Sequence, residues 1–247
     1  MSTPSDTRQR ARRGEGDRLR GEILAAAEDL LVETADESAV SIRAIAERVG
    51  VTAPSIYRHF ADKEALIHSV VESVFLRLDA ALEDAAAEAT DPFDEIMRKG
   101  HAYVDFGLAH PEHYRVLFMC KHDHHEGDRF DGPGIAGAAA FDHLQDTVRR
   151  VLEVAAPGVA RPDPYAMTCA IWTGVHGVTS LRIAMPNFPW PPIDEQLALL
   201  AGPWRDALCP TRAAAKSGTG AGGAPGAGGA PGAGGAPGAG GARRRHR

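Results

Sequence analysis

Four polar side chains follow one another between residues 55 and 59, at a spacing that places them on the outside of a short helix. They are Ser55, Tyr57, Arg58 and His59. Ile56 and Phe60, four residues apart, would bury the opposite face of that helix. Hydroxyl, phenol, guanidinium and imidazole groups suit the phosphates and base edges of a DNA groove. We therefore expect a helix that enters the major groove of DNA.

The residues just before this helix predict the partner helix and the turn that a helix-turn-helix requires. Ser41 can cap a short helix, and its inward residues at helical spacing are Ile42, Ile45, Ala46 and Val49. Gly50 tolerates the left-handed backbone that ends such a helix. Thr52 can cap the next helix, and Pro54 falls in its first turn, where a missing N–H matters little. A helical hairpin closed by a glycine is the simpler alternative.

The residues around this motif resemble the TetR family of transcriptional regulators. The matching segments are Ile23-Leu24-x-Ala26-Ala27-x-x-Leu30, Ser41-Ile-Arg-Ala-Ile-Ala, Gly50-Val51-Thr52, Ile56-Tyr57-x-His59-Phe60 and Lys63-Glu64-Ala65-Leu66. They cover roughly the first quarter of the chain, and a chance match of that length is improbable. The resemblance implies an all-α homodimer, with a three-helix DNA-binding head and a helical domain for ligand binding and dimerisation. Ala35 departs from the glycine that the family often has after the first helix.

The resemblance also implies roles for individual residues of the head. Tyr57 and His59 would contact phosphates, and Lys63 would meet another phosphate at the start of the fourth helix. Base readout would fall to Arg43, Thr52, Ala53, Ser55 and Arg58. The complete predicted DNA-binding set is Ser41, Arg43, Thr52, Ala53, Ser55, Tyr57, Arg58, His59 and Lys63. A buried aromatic of the core is the alternative role for Tyr57.

A second resemblance lies in the later part of the chain. Ile171-Trp172-Thr-Gly174-Val-His176-Gly177 is similar to the Trp-His-Gly signature of one subclass of TetR C-terminal domains. Trp172 and His176 share a helical face. They would contact either a small-molecule effector or the seam of a dimer. Five other residues would complete an apolar pocket with them or belong to the core. The full predicted pocket set is Tyr103, Phe106, His110, Tyr114, Phe118, Trp172 and His176.

The charge of the chain limits how it can bind DNA. The net charge is −6, and residues 1 to 68 hold ten Lys and Arg against twelve Asp and Glu. DNA binding must therefore depend on local arrangement rather than on a globally basic head. The arginine-rich leader from Arg8 to Arg20 is either a phosphate-seeking arm or a solvated terminus. An architectural DNA-binding protein without a ligand is accordingly the alternative function.

Composition divides the chain into four predicted parts. These are a flexible basic leader (1–17), the helix-turn-helix head (18–66), the effector and dimerisation domain (67–212) and a disordered tail (213–247) that repeats Gly-Ala-Gly-Gly-Ala-Pro and ends in arginines. The third part predicts a long helix from the head to about residue 90, then helices at roughly 92–109, 111–122, 135–155, 164–184 and 193–208. Pro203 is expected to interrupt the last of these helices.

Several classes of function find little support in the sequence. No apolar run approaches the length of a membrane span, and no export signal follows the basic leader, so we expect a cytoplasmic protein without a membrane partner. The three cysteines are far apart, as is typical of reduced thiols. His122–Asp128 holds metal-binding residue types without a known spacing, so a solvated loop is expected and no metal. No nucleophile–base pair is recognisable, so we expect no enzyme and no cofactor. The resulting hypothesis is a transcriptional repressor that binds a palindromic operator as a homodimer and is released by a small molecule.

Overall fold

The computed structural model describes residues 15–34, 36–118 and 137–209. Within these ranges the chain forms α-helices, one 3-10 turn at Glu37–Ala39 and no strand. The helices are α1 Glu15–Thr34, α2 Ile42–Val49, α3 Ala53–Ile56, α4 Lys63–Ala86, α5 Pro92–Ala109, α6 Pro111–Phe118, α7 Ala138–Glu153, α8 Pro164–Ala184 and α9 Ile193–Leu208. The all-α prediction is confirmed, and none of these helices is long and apolar enough to cross a membrane.

The head, formed by α1 to α3, has the capped helices and the glycine turn that its sequence predicts. The Ser41 hydroxyl accepts a hydrogen bond from the N–H of Ala44 at 3.1 Å, which satisfies a free donor at the start of α2. Gly50 ends α2 with φ of +76°, in the left-handed region that an L side chain rarely adopts. Ile45 and Ile56 are fully buried. They fix α2 and α3 against α1 through aliphatic contacts.

The body is built around the long helix α4, which begins in the head. The carboxylate of Asp62 caps α4 by accepting from the N–H of Ala65 at 2.7 Å. The helix then runs 24 residues, or about 36 Å at the usual rise of an α-helix. It packs on α1, α5, α6 and α7. Because α4 is continuous from Lys63 to Ala86, the predicted boundary between residues 66 and 67 lies inside one helix.

Most of the predicted helix positions in the body are confirmed. Helices α5, α8 and α9 have the bounds that their proline, aspartate and glycine signals indicate. Helix α7 begins at Ala138, three residues after the predicted start, because Gly137 takes a left-handed backbone and α7 starts directly after it. The expected interruption at Pro203 is wrong, since α9 continues through this residue. The carbonyl that Pro203 cannot pair belongs to Leu199, an exposed residue, where water can hydrate it.

Some expectations concern residues outside the described ranges. They are the basic leader before residue 15, the turn at Ala35, Cys120, the His122–Asp128 segment and the repeat tail after residue 209. They remain predictions. Cys169 and Cys209 are free thiols, both partly buried.

Candidate functional site

A row of linked hydroxyl and guanidinium groups lies on the outer face of α3. The Thr52 and Ser55 hydroxyl oxygens are 3.1 Å apart, and Arg58 Nη2 donates to the Ser55 hydroxyl at 3.2 Å. Thr52 occupies the position before α3, as predicted, but its side chain makes no capping hydrogen bond. The three residues therefore form one polar ridge, with groups that hydrogen-bond to base edges and phosphates.

Tyr57 lies at the surface of the head rather than in its core. Its side chain is 54% exposed, whereas Ile56 and Phe60 on either side of it are buried. The apolar face of this segment is thus completed without Tyr57. The neighbouring His59 is partly buried. A phenol held at the surface beside the polar ridge suits a phosphate contact.

Two predicted DNA contacts already have partners inside the head. The Lys63 ammonium donates to the carbonyl oxygen of Glu37 at 2.8 Å, which ties the start of α4 to the 3-10 turn. An ammonium has three donors, so this bond leaves others for a phosphate. Arg43 is exposed and forms an ion pair with Glu47 one turn later, at 3.0 Å. A pair this exposed contributes little to stability, so Arg43 can leave Glu47 for the base edge that it is predicted to contact.

Two carboxylates of α1, those of Glu28 and Glu33, are paired with side chains of other helices. Both Nη atoms of Arg48 on α2 donate to Glu33, at 2.9 and 2.8 Å. Hydrogen bonding by Arg48 lowers the pKa of Glu33 below its ordinary value. Glu28 is paired with Arg77 of α4 and His113 of α6. These pairs reduce the negative potential of a head that is not basic overall.

Five of the seven predicted pocket residues meet in one aromatic cluster between α5, α6 and α8. They are Tyr103, Tyr114, Phe118, Trp172 and His176, and we call them the aromatic cluster. The Tyr114 hydroxyl and Nδ1 of His176 form a hydrogen bond of 2.6 Å, and the Tyr103 hydroxyl lies 3.4 Å from both groups. The rings of Tyr114 and His176 are stacked with centroids 5.5 Å apart.

Burial sets the protonation of this cluster. Desolvation lowers the pKa of His176, so the ring is neutral at pH 7 and its Nδ1 can accept the tyrosine proton. Burial likewise raises the pKa of Tyr114 to about 12 and raises that of Tyr103. The cluster is therefore an uncharged set of aromatic faces with a few hydroxyl and imidazole groups. Such a surface suits an apolar molecule that carries one or two polar atoms.

The remaining two predicted pocket residues lie at the edge of the cluster. Phe106 packs against the core, and its ring is 5.3 Å from that of His110. His110 itself is exposed, at the junction of α5 and α6, and stacks edge-on with His113. The structure thus separates His110 from the buried hydrogen bonds of Tyr114 and His176.

An apolar cavity on the other side of α8 was not predicted from the sequence. The cavity, of about 120 Å³, lies between α5, α8 and α9, and its lining includes Phe93, Met167, Ile171, Val175 and Trp204. Its lining residues come from three separate segments of the chain. The periodicity of one helix at a time indicates an apolar face but cannot show that facing helices leave a space.

A second unexpected group joins α4 and α7. Asp79 and His143 are 3.0 Å apart, and Glu83 lies 3.9 Å from the same imidazole nitrogen. The hydrogen bond to Asp79 raises the pKa of His143. The buried ammonium of Lys99 is 2.7 Å from Glu83 and 2.9 Å from Glu95. These carboxylates thus already have cationic partners within the protein. The group is therefore an ion-pair network between helices.

The head carries an exposed polar helix after a glycine turn, and one long helix joins it to a helical body with an inward aromatic cluster. This arrangement defines a class of two-domain helix-turn-helix regulators. Comparison with known proteins agrees with this class. Residues 23–70 match the family model of the bacterial regulatory proteins of the tetR family, and residues 96–200 match that of the tetracyclin repressor-like C-terminal domain. The chain belongs to the TetR family of transcriptional regulators.

The individual relatives are similar at moderate identity. The HTH-type transcriptional regulator EthR of Mycolicibacterium smegmatis is 31% identical over 116 residues, which are 45% of this chain and 53% of the relative. The transcriptional activator FasR of the same organism is 29% identical, over 47% of this chain and 52% of the relative. The match thus spans about half the length of these curated relatives.

Solved structures extend the likeness to the whole fold. A protein of unknown function from Rhodococcus sp. RHA1 is 28% identical, with a TM-score of 0.60, over 77% of this chain and 95% of that one. A TetR family transcription regulator from Marinobacter aquaeolei VT8 has a TM-score of 0.58 at 18% identity, over 77% of this chain and 97% of that one. At this identity the second comparison concerns the fold alone.

Proposed function

We propose that the chain is a cytoplasmic homodimeric repressor that binds a palindromic DNA operator through α3 and is released by a small molecule. The observation that carries the proposal is the polar ridge of Thr52, Ser55 and Arg58 beside the exposed Tyr57. None of these groups is needed for the core of the head. A two-fold dimer would place two such ridges in successive major grooves, about 34 to 36 Å apart.

The aromatic cluster is our candidate for the effector site. Its hydroxyl and imidazole groups belong to three helices, so an effector that rearranges them would shift α6 relative to α5 and α8. An effector lowers DNA affinity only to the extent that it binds the released conformation more tightly. A seam between two copies is the alternative role for Trp172. The proposal assigns no reaction to the chain.

The DNA-binding proposal is tested by selecting duplexes from a randomised library and measuring affinity by fluorescence anisotropy. Tyr57→Ala should weaken binding to every duplex by a similar factor, because a phosphate contact carries no base preference. Tyr165→Ala is the matched control, since Tyr165 lies on α8 and is equally exposed, at 55% against 54% for Tyr57. Equal affinities of the two variants for the selected duplex would exclude the proposed docking of α3.

The alternative, an architectural protein, makes a different prediction in the same experiment. Its binding would be steeply salt-dependent and nearly indifferent to sequence. The selection would then yield no preferred duplex. An operator-binding regulator should instead prefer its selected palindrome over random duplex by about a thousandfold or more at physiological salt.

A further inference from the structure

One carboxylate of the head is held by two different helices of the body. Glu28 lies on α1, and its side chain is 16% exposed. Both Nη atoms of Arg77 on α4 donate to its two oxygens. On the other side, Nε2 of His113 on α6 donates to Oε1 of Glu28 at 2.8 Å. Because His113 is 85 residues from Glu28 in the sequence, no local sequence pattern predicts this contact.

The two contacts of Glu28 connect the head to different parts of the molecule. Arg77 lies on α4, which is continuous with the head through Lys63. This ion pair therefore holds α1 against a helix that already follows the head. His113 lies on α6, which follows the head in the sequence only after the whole of α4 and α5. Its hydrogen bond ties the position of α1 to the position of α6.

Helix α6 reaches the aromatic cluster through the next residue. Tyr114 is fully buried and forms a hydrogen bond with His176 of α8, whereas its neighbour His113 is directed to the head. His113 and Tyr114 are adjacent on this one helix. A packed helix moves as a rigid element, so α6 cannot change its contact with His176 without also moving the imidazole of His113.

We propose that the His113–Glu28 hydrogen bond is the contact that transmits the state of the aromatic cluster to the DNA-binding head. The inference rests on the proposed function and adds its regulation. His113 acts here as a positioning residue: when α6 moves with Tyr114, the bond pulls or releases α1 and changes the orientation of α3. Without this bond the head should still fold and bind DNA, but its affinity should no longer follow the cluster.

The test is a double-mutant cycle that uses a substitution in the cluster in place of the unidentified effector. His176→Phe keeps a ring but removes the hydrogen-bonding partner of the Tyr114 hydroxyl. We expect it to change affinity for the selected duplex about fivefold, the lower range of allosteric couplings. In a His113→Phe background the same change should alter affinity less than twofold. Non-additivity of this kind is the signature of coupled sites.

Two further variants separate coupling from a general loss of structure. Glu112→Gln breaks the ion pair of Glu112 with Arg115, which stays within α6. In that control background the effect of His176→Phe should remain fivefold. His113→Gln retains a side-chain N–H, and should restore part of the coupling. Circular dichroism establishes that each variant is folded.

The outcomes decide the inference independently of the proposed function. An equal effect of His176→Phe with and without His113, or no effect in either background, would overturn the transmission through His113. If the unmodified chain selects no duplex, the proposed function fails. The cycle is then measured by amide hydrogen exchange of α1 in the free protein, where His176→Phe should alter exchange only while His113 is present. An unchanged exchange rate of α1 in both backgrounds would likewise overturn the inference.

Discussion

The head and the body place their polar groups on opposite sides of their helices. In the head, the hydroxyls, guanidinium and phenol of α3 face outward, and the core is formed by aliphatic residues such as Ile45 and Ile56 with Phe60. In the body, the hydroxyl of Tyr114 and the imidazole of His176 face inward and bond to each other. The head thus leaves its polar groups at the surface, whereas the body pairs them with one another in its interior.

In the head, the residues that stabilise the fold differ from the residues proposed to bind DNA. In the body, the same residues are proposed to serve both stability and function. Exposed pairs such as Arg43–Glu47 contribute little to the free energy of folding. The side chains of such pairs can therefore leave their partners and contact DNA with little loss of stability. Buried hydrogen bonds are strong only while every group is satisfied. A change at Tyr114 or His176 should therefore alter packing and response together. Three predictions test this difference between the head and the body, from the largest expected effect to the smallest.

The largest effect should come from the aliphatic core of the head. Ile56 is fully buried, so Ile56→Ala should lower the free energy of unfolding by about 2 to 5 kcal/mol through lost burial and a residual cavity. DNA affinity should fall with it, although Ile56 contacts no DNA. Urea unfolding followed by circular dichroism measures the loss. The adjacent Tyr57→Ala, which removes an exposed ring, should leave the unfolding midpoint nearly unchanged.

The head could be predicted from sequence because its determinants are local. The Ser41 cap acts three residues ahead, and Gly50 acts on its own turn. For the aromatic cluster, the family resemblance pointed only to Trp172 and His176, and the sequence left the role of the other aromatic residues open between cavity and core. Its central bond joins Tyr114 to a residue 62 positions later. Sequence periodicity gives the buried face of each helix but not the rotation of two helices about each other. Hydrogen bonds between distant helices, including His113 to Glu28, therefore came only from the structure.

An intermediate effect is expected where α5 crosses α8. A Cβ added at Gly107 would collide with Cγ2 of Thr179 and lie 3.0 Å from the Tyr114 ring. Both neighbours are fully buried and cannot move freely. Gly107→Ala should therefore destabilise the body by about 1 to 3 kcal/mol, the usual cost of overpacking.

The control for that substitution is Gly177→Ala on α8. Nothing lies within 4 Å of its added Cβ, and alanine favours a helix by about 0.5 to 1 kcal/mol over glycine. Thermal unfolding should consequently separate the two variants in opposite directions. A Gly107→Ala protein as stable as the original would show that α5 and α8 are not closely packed in solution.

The smallest effect is a pH dependence of opposite sign at two histidines of the body. Burial depresses the folded pKa of His176 below the ordinary 6.5. As the pH falls below 6.5, the unfolded chain takes up a proton that the folded site resists, so stability declines. His143 has a raised pKa beside Asp79 and Glu83, with Lys99 opposing. Its contribution is complete below 6.5 and is lost as the pH rises through the raised folded pKa.

Urea unfolding of His176→Gln and His143→Gln between pH 5 and 8 resolves the two contributions as differences from the original chain. The first variant should lose less stability than the original on acidification, and the second should lose less on alkalinisation. Other histidines cancel in these differences because they are present in every protein compared. If both substitutions shifted the profile in the same direction, the inward, neutral His176 and the ion-paired His143 would not differ in protonation. The contrast between an uncharged interior cluster and charged interhelical contacts would then be wrong for the body.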